Sequence, residues 1–240
     1  MITLALDSAT ERLTLAASDG TTVVTRHLDG PRRHAREVLA LAGELLGEIG
    51  AVPRDVHRVL SGDGPGSFTG LRVASAVAKA LAWGRDEVEW RVAPSLLVRA
   101  AGHVPEGGGT VLALSDALRG ELYAGCWRFT SGRVDPVGDP PRTVTPEALA
   151  EYVAVDAVVG GVPERPRAAV REATGREPIV AEAALPDARR LLDLDQLHGG
   201  TVAVADPARW QPTYGRPAEA QAVWERTHGR PLPDPVRDAG

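Results

Sequence analysis

The sequence has few of the residues from which several common kinds of site are built. Among its 240 residues, Cys126 is the only cysteine and Lys79 is the only lysine. One cysteine excludes an internal disulfide and a cysteine metal cluster. No apolar run approaches the roughly 20 residues that a membrane-spanning helix needs. We therefore expect neither a disulfide-stapled fold nor a membrane partner.

A strongly basic charge balance is also missing. The formal net charge is −5, and no long run of one sign interrupts the chain. Proteins that bind nucleic acid directly normally carry a basic surface patch, so we expect any involvement with RNA to be indirect. The chain opens on residues 2–7, which are typical of a strand and lack the basic start and apolar core of a signal peptide. These features predict a cytoplasmic protein.

The richest local pattern is a glycine-rich segment at residues 61–72. It follows an apolar pair and precedes an alanine-rich run, which predicts a strand, a tight turn and a helix. Ser67 or Thr69 can cap that helix, and free N–H groups at such a turn can hold an anion. The turn consists of Gly64, Pro65, Gly66, Ser67, Thr69 and Gly70.

Known nucleotide-binding patterns fit this turn poorly. A P-loop ends in Gly-Lys-Ser/Thr, whereas Gly70 is followed by Leu71 and Arg72. The dinucleotide pattern can be placed on Gly64 and Gly66, but its third glycine is missing. We therefore interpret the turn as a structural strand-to-helix connection in preference to a nucleotide site.

The order of predicted elements indicates an α/β protein with two domains. Three strands at 2–7, 12–18 and 21–27 precede a helix from about 32 to 49, and Asp19-Gly20 is a hairpin signal. A glycine linker at 106–109 leads into a second β-rich unit. The predicted domains are 1–105 and 110–228, followed by a flexible, proline-rich tail at 229–240.

Five stretches, in order along the chain, resemble the TsaB (YeaZ) family of tRNA threonylcarbamoyladenosine biosynthesis proteins. The most specific is 64–72; the others are 4–10, 33–39, 116–123 and 212–216. Two positions depart from the family pattern. Leu118 stands where arginine is common, and Gly215 stands where leucine is usual.

The resemblance implies an actin-like ATPase fold, of the hexokinase and Hsp70 type, with two related domains. It also implies a scaffold role without catalysis and without a cofactor. Proteins of this family pair with a catalytic paralogue, TsaD, which modifies the adenosine next to the tRNA anticodon, and a P-loop ATPase, TsaE, joins them. The chain would then meet tRNA only through the complex.

The residues offer little chemistry of their own. The catalytic paralogue holds a metal with two histidines one helical turn apart, whereas here His34 is followed four residues later by Val38. Asp7 occupies the position of an acidic residue near phosphate and Mg²⁺ in actin-like ATPases, but a turn-forming aspartate is the simpler interpretation. We expect no metal and no catalytic residue. The alternative is an actin-fold ATPase or a glycoprotease-like hydrolase in its own right.

The helix after the glycine turn is apolar on nearly every side, which indicates burial on more than one side. From the residues alone, an internal core helix and a partner-binding helix are equally favoured. The resemblance implies a partner surface on the helices at 32–49 and 67–83, and we expect the isolated chain to form a homodimer through it. The candidate interface residues are His34, Leu41, Leu45, Phe68, Leu71, Arg72, Ala76, Lys79 and Ala80.

Overall fold

The computed structural model describes residues 1–30, 33–152, 154–215 and 227–229. The elements of the first half alternate strands and helices. They are β1 (Ile2–Asp7), β2 (Arg12–Ser18), β3 (Val23–Asp29), α1 (His34–Glu48), β4 (Val56–Gly62), α2 (Phe68–Ala82), β5 (Glu89–Ala93) and α3 (Ser95–Ala101). A short 3₁₀ helix, Pro53–Asp55, precedes β4.

The second half begins with a further group of strands. Its elements are β6 (Gly109–Asp116), β7 (Leu122–Thr130), β8 (Arg133–Pro136), β9 (Arg142–Val144), β10 (Ala157–Gly161), α4 (Arg167–Thr174), α5 (Arg189–Asp195) and β11 (Val202–Ala203). The helix expected after Pro146 is a 3₁₀ helix, Glu147–Glu151. Another 3₁₀ helix spans Ala181–Ala184.

The first sheet has the order β11-β5-β4-β1-β2-β3. β1 pairs antiparallel with β2 and parallel with β4, which in turn is parallel to β5. The predicted hairpin between β2 and β3 is present. The Asp19 carboxylate accepts hydrogen bonds from the backbone N–H groups of Thr21 and Thr22, so these residues belong to the turn, and β3 begins at Val23.

The second sheet has the order β10-β6-β7-β8, and β9 pairs with β7. β6 is antiparallel to β7 and parallel to β10, just as β1 is antiparallel to β2 and parallel to β4. The order β4-β1-β2-β3 of the first sheet is therefore repeated as β10-β6-β7-β8. This repeat confirms the predicted α/β fold of the actin-like type with two related domains.

Helices separate and cover the two sheets. α1 and α2 pack on one face of the first sheet through the core that contains Leu13, Leu45 and Ala74. α3 and α5 lie between the sheets and share a second core with both of them, through residues such as Leu60, Leu97 and Val111. α4 and the Glu147–Glu151 helix cover the outer face of the second sheet.

The end of the described chain requires a correction to the predicted domains. The prediction places residues after 188 in the domain at 110–228, but β11 pairs with β5 and so extends the first sheet. Asp195, at the end of α5, forms ion pairs with Arg58 of β4 and Arg91 of β5. The first domain therefore includes this returning segment. Of the predicted tail, residues 230–240 lie outside the described residues.

Along the described ranges, no helix combines the length and the apolar character that crossing a membrane requires.

Candidate functional site

The glycine turn connects β4 to α2, as predicted. Ser67 is the N-cap of α2, since its hydroxyl accepts a hydrogen bond from the N–H of Gly70 at 3.2 Å. Thr69 lies inside the helix and is exposed. The Gly64–Pro65 peptide is cis, and Gly64 has a φ of 104°, which favours glycine.

Two glycines let this turn press against the end of β1. A Cβ atom on Gly66 would lie 2.2 Å from the carbonyl oxygen of Ala9, and one on Gly70 would lie 1.9 Å from that of Ser8. Hydrogen bonds close the same contact: the N–H of Ser67 donates to Ala9 O at 2.7 Å, and the Ser8 hydroxyl donates to Gly70 O at 2.6 Å. The turn thus uses its glycines and an N–H group to pack on the chain's own backbone.

A short segment at residues 212–215 crosses the other side of the turn. The N–H of Thr213 donates to Asp63 O at 2.7 Å. The ring centroid of Tyr214 lies 4.4 Å from that of Phe68. A Cβ on Gly215 would lie 2.6 Å from the Tyr123 ring, so no larger side chain fits there without displacement. Gly215, which departs from the family pattern, therefore lies in a close contact with Tyr123. Sequence reasoning did not predict this contact, because the two residues are far apart along the chain.

Two carboxyl groups lie next to the turn at the ends of β1 and β4. Asp7 is fully buried, and its Oδ1 accepts a hydrogen bond from the N–H of Ala9 at 2.8 Å. Burial raises the pKa of Asp7, against the smaller opposing effects of that hydrogen bond, of Ser95 and of the Arg99 charge. Burial, followed by repulsion from Asp7, raises the pKa of Asp63 to about 7.

Arg99 of α3 lies close enough to Asp7 for their charges to interact. Its guanidinium donates to the carbonyl oxygen of Leu114 in β6, which links the helix to the second sheet. Burial lowers the pKa of Arg99 to about 10, although the nearby charge of Asp7 raises it. Because burial raises the pKa of both carboxyl groups and so disfavours their ionised forms, they are weak candidates for ligands of a metal cation. Within the described ranges, no group of three or more His, Cys, Asp or Glu residues is placed to hold a metal ion.

Three of the predicted interface residues lie in the interior. His34 is 1% exposed, and its Nε2 lies 3.0 Å from the carbonyl oxygen of Glu11. Leu45 and Leu71 are also buried. His34 ties the start of α1 to the β1–β2 connection, and the two leucines fill the core, so we correct their assignment from interface to interior. Val38, four residues after His34, is buried as well.

The other six candidates reach the surface. Phe68, Arg72, Ala76 and Ala80 are exposed, whereas Leu41 and Lys79 are half-buried. The Lys79 ammonium donates to the carbonyl oxygen of Ala208 at 3.3 Å, so the chain itself contacts part of this helix. Arg72 lies over the Phe68 ring, at 5.4 Å from its centroid.

Two large apolar residues on the same helices were missed by the sequence reasoning. Leu39 on α1 is 68% exposed, and Trp83, at the C-cap of α2, is 74% exposed. Helical spacing predicts that Val38 and Leu39 both lie in the core stripe of α1, but only Val38 of these two is buried. Arg72, Ala76, Ala80 and Trp83 recur at three- or four-residue intervals and therefore share one side of α2. We call these four residues together with Leu39 the helix-pair surface.

Comparisons with known proteins agree with this fold and with the sequence motifs. The family model of TsaD, tRNA N6-adenosine threonylcarbamoyltransferase, matches residues 29–151. The Bacillus subtilis tRNA threonylcarbamoyladenosine biosynthesis protein TsaB is 26% identical over 228 residues, which cover 93% of this chain and 98% of that protein. The TsaB protein of Escherichia coli is 37% identical over 123 residues, but the match spans only about half of each protein (50% and 52%).

A solved structure provides an independent comparison. The chain is similar to YeaZ from Pseudomonas aeruginosa, with a TM-score of 0.70 and 27% identity over 89% of this chain and 99% of that one. The match includes both domains, since it spans nearly the whole of each chain.

Proposed function

Because this chain belongs to the TsaB (YeaZ) family, we propose that it is a non-catalytic subunit of the machinery that makes threonylcarbamoyladenosine in tRNA. In this proposal it pairs with a TsaD-like catalytic paralogue in the cytoplasm. A TsaE-like P-loop ATPase joins the pair, and tRNA is met through the complex. The net charge of −5 supports an indirect role with RNA.

The helix-pair surface is the observation that carries this proposal. It comprises two large, exposed apolar side chains, Leu39 on α1 and Trp83 at the end of α2, and the small exposed residues Ala76 and Ala80. Alanines let a partner helix approach to the short end of the usual interaxial distance of about 8–10 Å. Large apolar side chains exposed to water are stabilised when a partner covers them. This combination suits a helix-against-helix interface.

The environment of Asp7 supports the absence of catalysis. In an actin-like ATPase, the acidic residue at the position of Asp7 lies near phosphate and Mg²⁺. Here the glycine turn packs against Ser8 and Ala9, and burial favours the neutral form of Asp7. Both features disfavour a bound nucleotide.

Release of phosphate from ATP by the purified chain tests the catalytic part of the proposal. We expect release at background level with and without Mg²⁺. Release above background that disappears in Asp7→Ala would contradict the proposal and favour an ATPase in its own right. Asp206→Ala, a change at an exposed aspartate in another part of the chain, controls for contaminating activity.

The helix-pair surface also explains the expected self-association. A patch left uncovered in the isolated chain favours pairing with a second copy, and a two-fold arrangement is the default for such a patch. We propose that the paralogue replaces this second copy. Light scattering of the chain at tens of micromolar, an order of magnitude suited to weak dimers, should show a homodimer. Addition of the paralogue should convert it to a heterodimer.

A further inference from the structure

A polar cavity lies on the opposite side of the first sheet from the helix-pair surface. It is open to solvent, its volume is about 280 Å³, and it is lined by β2, β3, the end of α3 and the segment that enters α5. Thr14, Thr25 and His27 form its floor. Their side chains share one face of the sheet, because Thr14 pairs with His27 and Ala16 pairs with Thr25 in the register of β2 and β3.

Hydrogen-bond donors converge on this cavity from several elements. Within the part of the chain that the structure describes, Arg190 of α5 donates one hydrogen bond, from Nη1 to Asp193 at 2.9 Å, and a guanidinium can make five. Its Nε lies beside Gly102 at the cavity wall. The Thr14 oxygen accepts the N–H of Ala188 at 3.0 Å, which leaves the hydroxyl hydrogen available as a donor.

The charges around the cavity favour an anion in its centre. Two carboxylates line it, Glu182 and Asp187. Glu182 is paired with Arg12, which also pairs with Asp29. Asp187 accepts the N–H of Arg189 at 2.9 Å. Arg190 is likewise paired with Asp193. The lining nevertheless carries more positive than negative groups, since the two carboxylates face four arginines, Arg12, Arg26, Arg99 and Arg190. Arginine is well suited to phosphate because its planar donors match the oxygens in pairs.

We propose that this cavity binds a small phosphate-bearing molecule, held by Arg190, His27 and the hydroxyl groups of Thr14 and Thr25. The phosphate would lie between Arg190 and the floor. The volume is close to the lower end of the usual range for small-molecule sites, about 300 Å³, so the ligand is a small phosphate ester. The site is separate from the helix-pair surface and requires no partner chain.

Titration of the full chain with inorganic phosphate tests this proposal. The readouts are the NMR signals of the His27 ring and the melting temperature, at constant ionic strength with chloride as the reference anion. We expect saturable binding that shifts His27. Arg190→Ala should weaken the binding at least about tenfold, the effect of one charge-assisted hydrogen bond. Arg189→Ala, a change at an exposed neighbour on the same helix, should bind phosphate as the wild type does.

His27→Ala provides a second variant with little risk to folding, because His27 is exposed on an edge strand. It should also weaken phosphate binding, with melting temperature as its readout. The proposal is wrong if phosphate and chloride act alike, if Arg189→Ala weakens binding as much as Arg190→Ala, or if folded His27→Ala and Arg190→Ala both bind phosphate with wild-type affinity.

Discussion

At the scale of single residues, the glycine turn depends on contacts too close for any side chain. We expect Gly70→Ala to destabilise the protein by more than about 3 kcal/mol, because the new Cβ would lie 1.9 Å from Ser8 O. Gly43→Ala in α1 is the matched control, since a Cβ on Gly43 would meet no atom of another element within 4 Å. It should stabilise the helix by about 0.5–1 kcal/mol. Chemical denaturation measures both changes, and equal effects would contradict the account.

The half-buried carboxyl group of Asp63, next to the fully buried Asp7, predicts an unusual dependence of stability on pH. The pKa of Asp63 is raised from an ordinary value of 3.8 to about 7, so between these values the folded state binds more protons than the unfolded state. The free energy of unfolding should therefore fall as the pH rises from about 4 to 7. Asp63→Asn should raise that free energy at pH 8, by about 1–3 kcal/mol, and change it little at pH 4.

Asp19→Asn is the control of opposite sign. Hydrogen bonds from Thr22 and Thr21 lower the pKa of Asp19 to about 2. This group contributes stability above pH 4 that is lost as the pH falls toward 2, so Asp19→Asn should destabilise the protein at pH 8. Thermal melts across this pH range measure both effects. An Asp63→Asn variant that is no more stable than wild type at pH 8 would contradict the burial argument.

At the scale of elements, α2 divides its alanines between the core and the surface. Ala74 and Ala78 are fully buried, whereas Ala76 and Ala80 are exposed. We expect Ala76→Glu and Ala80→Glu to fold as the wild type does. Each should bind the paralogue at least about tenfold more weakly, because the interface would bury an unpaired charge. Size-exclusion chromatography with light scattering measures the loss, and circular dichroism confirms the fold.

Two further variants separate the competing explanations for such a loss. Ala168→Glu, at an exposed position of α4 on the far side of the second sheet, should leave pairing intact. Ala74→Glu should unfold the protein, because Ala74 lies on the face of α2 that packs in the core. If Ala80→Glu pairs as well as Ala168→Glu does, the helix-pair surface is not an interface.

Sequence reasoning predicted the positions of the helices and strands far better than it predicted which of their faces are buried. Alternation, the Asp19-Gly20 signal and the glycine turn predicted β1, β2 and α2 almost to the residue. The faces of the helices were harder, because α2 is apolar all round and periodicity cannot rank one alanine above another. His34 shows the same limit. Its position at the start of a helix gives no sign that its side chain will be buried against a backbone carbonyl group 23 residues earlier in the chain.

At the scale of the whole molecule, the chain returns from the second domain to the first and adds β11 to the edge of its sheet. Asp195 makes this connection, since its carboxylate is 4% exposed and pairs with Arg58 at 2.6 Å and with Arg91 at 2.9 Å. No sequence pattern revealed the return, because β11 has two residues and ion pairs between distant residues leave no periodic signal. The relation between the two domains, which the repeated strand order shows, was expected only from the family resemblance.

This returning segment predicts a large effect from one carboxylate. Asp195→Ala should lower the free energy of unfolding by about 1–3 kcal/mol, because it removes a buried carboxylate that Arg58 and Arg91 share and leaves both arginines with the more exposed Glu89. Asp193→Ala, which removes the half-exposed partner of Arg190 two residues earlier, should cost about 1 kcal/mol or less. Urea denaturation compares them, and equal losses would show that Asp195 does not hold the segment in place.

Threonylcarbamoylation of tRNA in a reconstituted system tests most directly the proposal that this chain is a non-catalytic subunit. The reaction contains a TsaD-like paralogue and a TsaE-like ATPase, with this chain as wild type, as Ala80→Glu, as Ala168→Glu or omitted. We predict modified tRNA only with the wild type and Ala168→Glu, and none from this chain alone. Modification by this chain alone, or equal modification when it is omitted, would contradict the account.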